Sequence, residues 1–279
     1  MPVDFRKPAH VIVVHGVISG EDDDIESAQQ IRSLINRSLA ENHIEKEFQS
    51  EGYLYEDIND DAQEFYKRIG KAITSGNPLV GKALETVVDL VGDVVTTAKN
   101  TSTAKAIRQG LQEKILESYR SQNQVVVVAH SLGSIYAIDV INELITKARY
   151  FKGDDRSSWP VQGLVTIGSP LGLGLEIAGV KIFEKRKINS IENAEFNLLS
   201  WHNYYNRLDP IVSGSLFGAP VATDGAKGPV ESRYGPSVLG ASWLLHGHVV
   251  VSGAQWLFAH TSYWSNPALG DNLVDMLWG

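Results

Sequence analysis

"VVVVAHSLGS", Val125 to Ser134, is the stretch on which the reading of this chain turns. Its four consecutive valines are β-branched, and such a run favours an extended strand over a helix. No polar residue alternates with them, so the strand has to be buried on both faces, as a parallel strand between two helical layers is. Immediately after the turn, "GSIYAIDVINELITKA" places Ile135, Ile138, Ile141, Leu144 and Ile145 at helical spacing. A strand, a tight turn and a helix therefore meet at Ser131. Ala129 and Gly133 flank the turn, and both are small enough for backbone and helix to approach closely. Such a turn lifts the Ser131 hydroxyl above the sheet and leaves the Leu132 N–H at a helix N-terminus. The competing reading is a serine that caps the helix after a core strand.

The same pattern extends in both directions. "HVIVVHG", His10 to Gly16, is a second nearly continuous apolar run, ended by glycine. Ile25 to Leu39 carries Ile25, Ala28, Ile31, Leu34, Ile35 and Leu39 along one helical side, behind the acidic Glu21 to Asp24 that suits a helix N-terminus. A second strand is expected around Tyr53 to Tyr55. A helical region follows from Asp61 to Arg120, with breaks at Asn77-Pro78 and at Asn100 to Ser102. "VQGLVTIGSP" predicts a strand from Val161, "WHNYYNRLDPIV" one that ends near Leu208, and "HVVVSG", His248 to Gly253, a last strand. "NPALGDNLVDMLW" predicts the closing helix.

Strands alternating with helices predict an α/β chain with a mostly parallel sheet and helices on both faces. One domain over residues 1–279 is expected, with residues 61–120 as a helical excursion over the site and 171–200 as a lid. The lid reading rests on the apolar "LGLGLEIAGVKIF", with the face built on Leu84, Val87, Val91 and Val94 as its partner.

Composition narrows the function classes. The chain has 279 residues, 43% hydrophobic and 21% charged, as a soluble globular protein does. No apolar run approaches the ~18 residues that span a bilayer. The start, "MPVDFRKPAHVIVVHG", lacks the pattern of a signal peptide, so a cytoplasmic location is expected. The absence of cysteine excludes disulfides, thiolate metal sites and a cysteine nucleophile. A net charge of −8 argues against a nucleic-acid partner.

A second feature supports chemistry at Ser131. His15-Gly16 ends a buried strand, and the N–H of Val17 beyond it is the expected partner of the Leu132 N–H in holding a developing oxyanion. His15, Gly16 and His130 are expected to line the space where substrate sits, with the His130 ring turned away from the Ser131 hydroxyl.

With "HGV", "AHSLGS", "IGSPLG", "NRLDPIV" and "HTSYW" in this order, the chain resembles the α/β-hydrolase superfamily of serine esterases and lipases. "AHSLG" with alanine first is similar to a variant found among bacterial lipases. The first recognised strand opens near the N-terminus, which implies a trimmed fold without the first two antiparallel strands. The resemblance also implies a triad in the chain order serine, acid, histidine, with the last two in loops after later strands.

Asp209 follows a predicted strand and precedes Pro210, which disfavours helix at Asp209. It is the expected acid. Asp224 is its rival, while Asp154 and Asp155 precede the next strand and fit poorly. Among His246, His248 and His260, the last follows the final strand and lies in "HTSYW", so His260 is the expected base. His246 and His248 alternate as sheet residues would. Their spacing permits a metal pair, but no carboxylate cluster accompanies it, so no metal or cofactor is expected. Ser169 in "IGSPLG" is followed by Pro170, which has no N–H to offer an oxyanion, and is read as part of a turn in the site wall. The expected substrate is a small-molecule or lipid ester. Thioesters, amides and peptides fit the same constellation, as does a non-catalytic interaction module on the fold.

Overall fold

Six parallel strands form one sheet among the described residues, in the order β2-β1-β3-β4-β7-β8. The computed structural model describes residues 7–15, 23–53, 102–147, 159–172, 176–177, 180–181, 199–209, 212, 243–250, 259–260 and 262–279. In chain order the elements are β1 (Ala9–Val14), α1 (Asp23–Glu41), β2 (Phe48–Tyr53), α2 (Ser102–Arg120), β3 (Gln124–His130), α3 (Gly133–Thr146), β4 (Val161–Ile167), β5 (Glu176–Ile177), β6 (Val180–Lys181), β7 (Leu199–Tyr205), β8 (Trp243–Val249) and α4 (Pro267–Trp278). β5 and β6 pair antiparallel, apart from the main sheet.

The valine run lies where its sequence demands. β3 is an interior strand, hydrogen-bonded to β1 on one side and β4 on the other, and its residues are buried throughout. Val125, Val127 and Ala129 face a core shared with Ile107, Leu111 and Ile115 of α2 and Ile135, Ile138 and Ile141 of α3. Val126 and Val128 face the opposite core, with Ile31 and Ile35 of α1 and Leu269 and Leu273 of α4. Each fully buried valine contributes roughly 1.5–3 kcal/mol relative to an exposed one. The two helical layers explain why β1 and β3 read as continuous apolar runs.

Strand order positions the site. β1 leads through α1 to β2 on one side, whereas β3 leads through α3 to β4 on the other. The C-terminal ends of β1 and β3 thus flank the point where the strand order reverses, which is where open α/β sheets place their ligands. His15 and Ser131 follow directly from those two ends.

Both edge strands differ from the sequence expectation. β2 is Phe48–Tyr53, in register from Ala9↔Phe48 to Val14↔Tyr53, so it begins five residues before the expected Tyr53, while Leu54 and Tyr55 lie outside the described residues. β8 is Trp243–Val249, in register from Leu199↔Trp243 to Tyr205↔Val249, rather than a strand beginning at His248. Among the described residues each of these strands pairs on one side only, so main-chain register places it and hydrophobicity marks it poorly. β7 also stops earlier, at Tyr205, and Asn206 to Asp209 form a turn instead.

Residues 102–120 pack in the core with β3. They form α2, the crossover helix lying on the sheet's face. Residues 61–100, including the Leu84 to Val94 face, lie outside the described residues, as does most of 171–200. Leu171 is fully buried in a short 3₁₀ turn, Pro170–Gly172. No helix among the described residues is long and apolar enough to cross a membrane.

Candidate active site

The backbone at Ser131 is left-handed, with φ of 50°. For a residue with a side chain this conformation costs roughly 1–3 kcal/mol and persists only where its surroundings impose it. Three contacts impose it here. The Ser131 N–H donates to the Ile167 carbonyl at the end of β4, at 2.9 Å. The Ser131 carbonyl accepts the Ser134 N–H at 3.1 Å and also the Ser134 hydroxyl. Gly133 packs directly beneath β1: a Cβ there would lie 2.3 Å from the His15 carbonyl oxygen and 2.6 Å from that of Val14. Both neighbours are main chain, so only glycine fits. This is why the turn needs a glycine two residues after the serine.

Helix capping does not account for Ser131. The N-cap position of α3 belongs to Leu132, and no side chain caps the helix. Ser169 turns to the same structural task from the other side. Its Oγ lies 2.7 Å from Ser134 Oγ and accepts the Leu171 N–H at 3.2 Å. A chain of hydroxyls thus connects the β4 loop to the carbonyl of Ser131.

Asp209 and His260 come from loops far apart in sequence and meet. His260 Nδ1–H donates to Asp209 Oδ2 at 2.8 Å. Both side chains are buried, Asp209 completely. The loop that carries Asp209 is built by Asn206, whose side-chain oxygen accepts the Leu208 N–H at 2.9 Å and whose carbonyl accepts the Asp209 N–H at 3.1 Å. Asparagine favours this kind of turn because its side chain bonds the backbone two residues on. With Nδ1 carrying the proton to Asp209, Nε2 is left with its lone pair.

Gly168 closes the gap between these groups. Its φ is +56°, and a Cβ would meet Tyr263 Cε2 at 2.9 Å, Asp209 Oδ2 at 3.1 Å and His260 Cε1 at 3.1 Å. Sequence reasoning passed over Gly168, Asn206, Ser134 and Tyr263. Tyr263 donates its hydroxyl to Asp209 Oδ2 at 2.6 Å. Its place in "HTSYW" carried no sign of that bond.

His130 is buried, and its Nε2–H donates to the His260 carbonyl oxygen at 3.0 Å. Burial, and then the neighbouring His260, hold its pKa well below the ordinary histidine value. It is a neutral prop behind His260. His15 is buried at the end of β1 and interacts with His130. Gly16 and Val17 lie outside the described residues, as do Asp154, Asp155 and Asp224. His246 and His248 sit on edge strand β8, where His248 Nε2 lies 2.9 Å from Nδ1 of His202 on β7. Among the described residues no cluster of metal-ligating side chains is placed to hold an ion.

A parallel doubly wound sheet therefore carries a left-handed serine after β3, an acid after β7 and a histidine after β8, all at the C-terminal edge. The fold is α/β-hydrolase-like. No protein-family model matches the sequence, and no curated protein matches it. Among solved structures, the chain is similar to a cutinase-like protein from Cryptococcus sp., at a TM-score of 0.43 and 12% identity, over 99% of this chain and 98% of that one. It is also similar to a presumed hydrolase of the α/β superfamily from Xanthomonas campestris pv. campestris, at a TM-score of 0.36 and 13% identity, over 96% and 98% of the two chains. Both likenesses are loose.

Proposed function

We propose that the protein is a serine hydrolase of carboxylic esters or lipids, working through Ser131, His260 and Asp209. The observation that carries this reading is the buried His260 Nδ1–H···Asp209 Oδ2 bond of 2.8 Å, formed at the same sheet edge as a serine held at a φ of 50°. In the proposed reaction Ser131 Oγ attacks the acyl carbonyl carbon while its proton passes to His260 Nε2. Asp209 fixes the tautomer and stabilises the imidazolium. The N–H groups of Leu132 and Val17 stabilise the tetrahedral oxyanion. His260 then returns the proton to the departing alkoxide, and water, deprotonated by the same base, releases the acid.

Turnover of a panel of p-nitrophenyl esters of graded chain length, run beside thioesters and a peptide substrate, tests the reaction class. Ester turnover that Ser131→Ala abolishes supports the reading. Thioester or peptide turnover in its place moves the substrate class. A chain that turns over nothing and takes no covalent serine probe favours an interaction module on this fold.

A further inference from the structure

The Asp209 carboxylate oxygen that holds His260 is shared. Asp209 is fully buried, and its Oδ2 accepts both the His260 Nδ1–H at 2.8 Å and the Tyr263 hydroxyl at 2.6 Å. The direction of the second bond is fixed, because the Tyr263 oxygen already accepts the Asn206 N–H at 2.9 Å. Its own proton is left for Asp209. The ring cannot swing away, being wholly buried in the core beneath α1 and α4, with Cε2 2.9 Å from where a Cβ on Gly168 would lie. One tyrosine thus joins the turn that carries the acid to the segment that carries the base.

We propose that Tyr263 is a positioning residue of the hydrolytic relay: its hydroxyl holds the Asp209 carboxylate in line with His260 and limits how strongly that carboxylate retains protonated His260. This rests on the serine-hydrolase reading above. A donor on Oδ2 disperses the carboxylate charge, so the imidazolium is attracted less strongly and gives up its proton more readily. The tyrosine stays a donor throughout, since burial, and then the adjacent Asp209, push its pKa well above the ordinary tyrosine value. Among the described residues, the other titratable groups at this site are His130, from the end of β3, and His15, which interacts with it. His130 remains neutral in the working range, because burial depresses its pKa.

The test follows covalent labelling by a fluorophosphonate as a function of pH, in full-length protein. Tyr263→Phe keeps the ring and removes the bond. Loss of a hydrogen bond to a charged group should slow labelling about ten- to a hundredfold. The acid limb of the profile should move to higher pH, because a carboxylate that lacks the Tyr263 donor holds the imidazolium more tightly. Site-specific 3-fluorotyrosine at position 263 is a stronger donor of nearly the same shape, and should move the limb to lower pH. This second substitution keeps the proposal testable if the phenylalanine variant folds poorly. Opposite shifts support the proposal. A wild-type rate and limb in either folded variant would overturn it, leaving Tyr263 a packing residue. Failure of the underlying reading looks different: the wild-type protein itself would then take no label at Ser131.

Discussion

His130 donates from Nε2 to the main-chain carbonyl of His260 at 3.0 Å, and the two rings lie 4.6 Å apart. The residue before the serine thus supports the segment that presents the base. His130→Phe keeps an aromatic ring in the buried site and removes the donor. Phosphonate labelling should slow by roughly three- to tenfold, the worth of one neutral hydrogen bond, and His130→Gln should restore part of it. Labelling of His130→Phe at the wild-type rate would mean that the bond positions nothing.

Two glycines should separate stability from chemistry. In Gly133→Ala the new Cβ meets main-chain oxygens at 2.3 and 2.6 Å, so the end of β1 or the start of α3 has to move. Overpacking of this kind costs about 1–3 kcal/mol, and urea unfolding should show it. In Gly168→Ala the methyl is pressed between Tyr263, Asp209 and His260, on a backbone of φ +56°. Here the labelling rate should fall by a larger factor than the folding equilibrium. Equal losses in both measurements would indicate that the relay tolerates displacement.

Acid should destabilise the fold from about pH 6.5 downward, partly through His202. Burial, and then His248 and His246, lower its pKa from 6.5 to about 3. Between those values the unfolded chain binds a proton that folded His202 refuses. Stability therefore rises with pH across this window and is lost as pH falls through it. His10, His130 and His248, also lowered by burial, act in the same direction. Urea midpoints measured from pH 7 to pH 4 should fall less steeply in His202→Gln than in the wild type. An unchanged slope would contradict the assignment.

Asp209→Asn should preserve shape while misorienting the imidazole, with a loss of up to about 10⁴ in acylation. His260→Ala should remove the base altogether. Because the three groups act as a unit, the Ser131→Ala and His260→Ala double variant should be little worse than either single one. Near-normal turnover in folded His260→Ala, with collapse in His248→Ala, would move the base to β8.

Much of this architecture is legible in residue pattern, for a physical reason. Strands β1 and β3 are covered on both faces, so burial writes itself into consecutive valines and isoleucines. The serine turn is legible because a close backbone approach forces small residues at fixed spacing, and Gly133 under His15 shows the constraint. The edge strands were misplaced because one-sided pairing leaves little compositional trace in "FQSEGY" or "WLLHGHV". Tyr263 and Asn206 were invisible for another reason. Their roles depend on two loops meeting across 57 residues of chain, which no local pattern encodes.

The central claim is that Ser131 is an acyl nucleophile. Its most direct test is intact-mass and peptide-mapping analysis after treatment with a fluorophosphonate. The account predicts one adduct per chain, located on Ser131, and none in folded Ser131→Ala. An adduct on Ser169 or elsewhere, or wild-type protein that stays unmodified while folded, would contradict it.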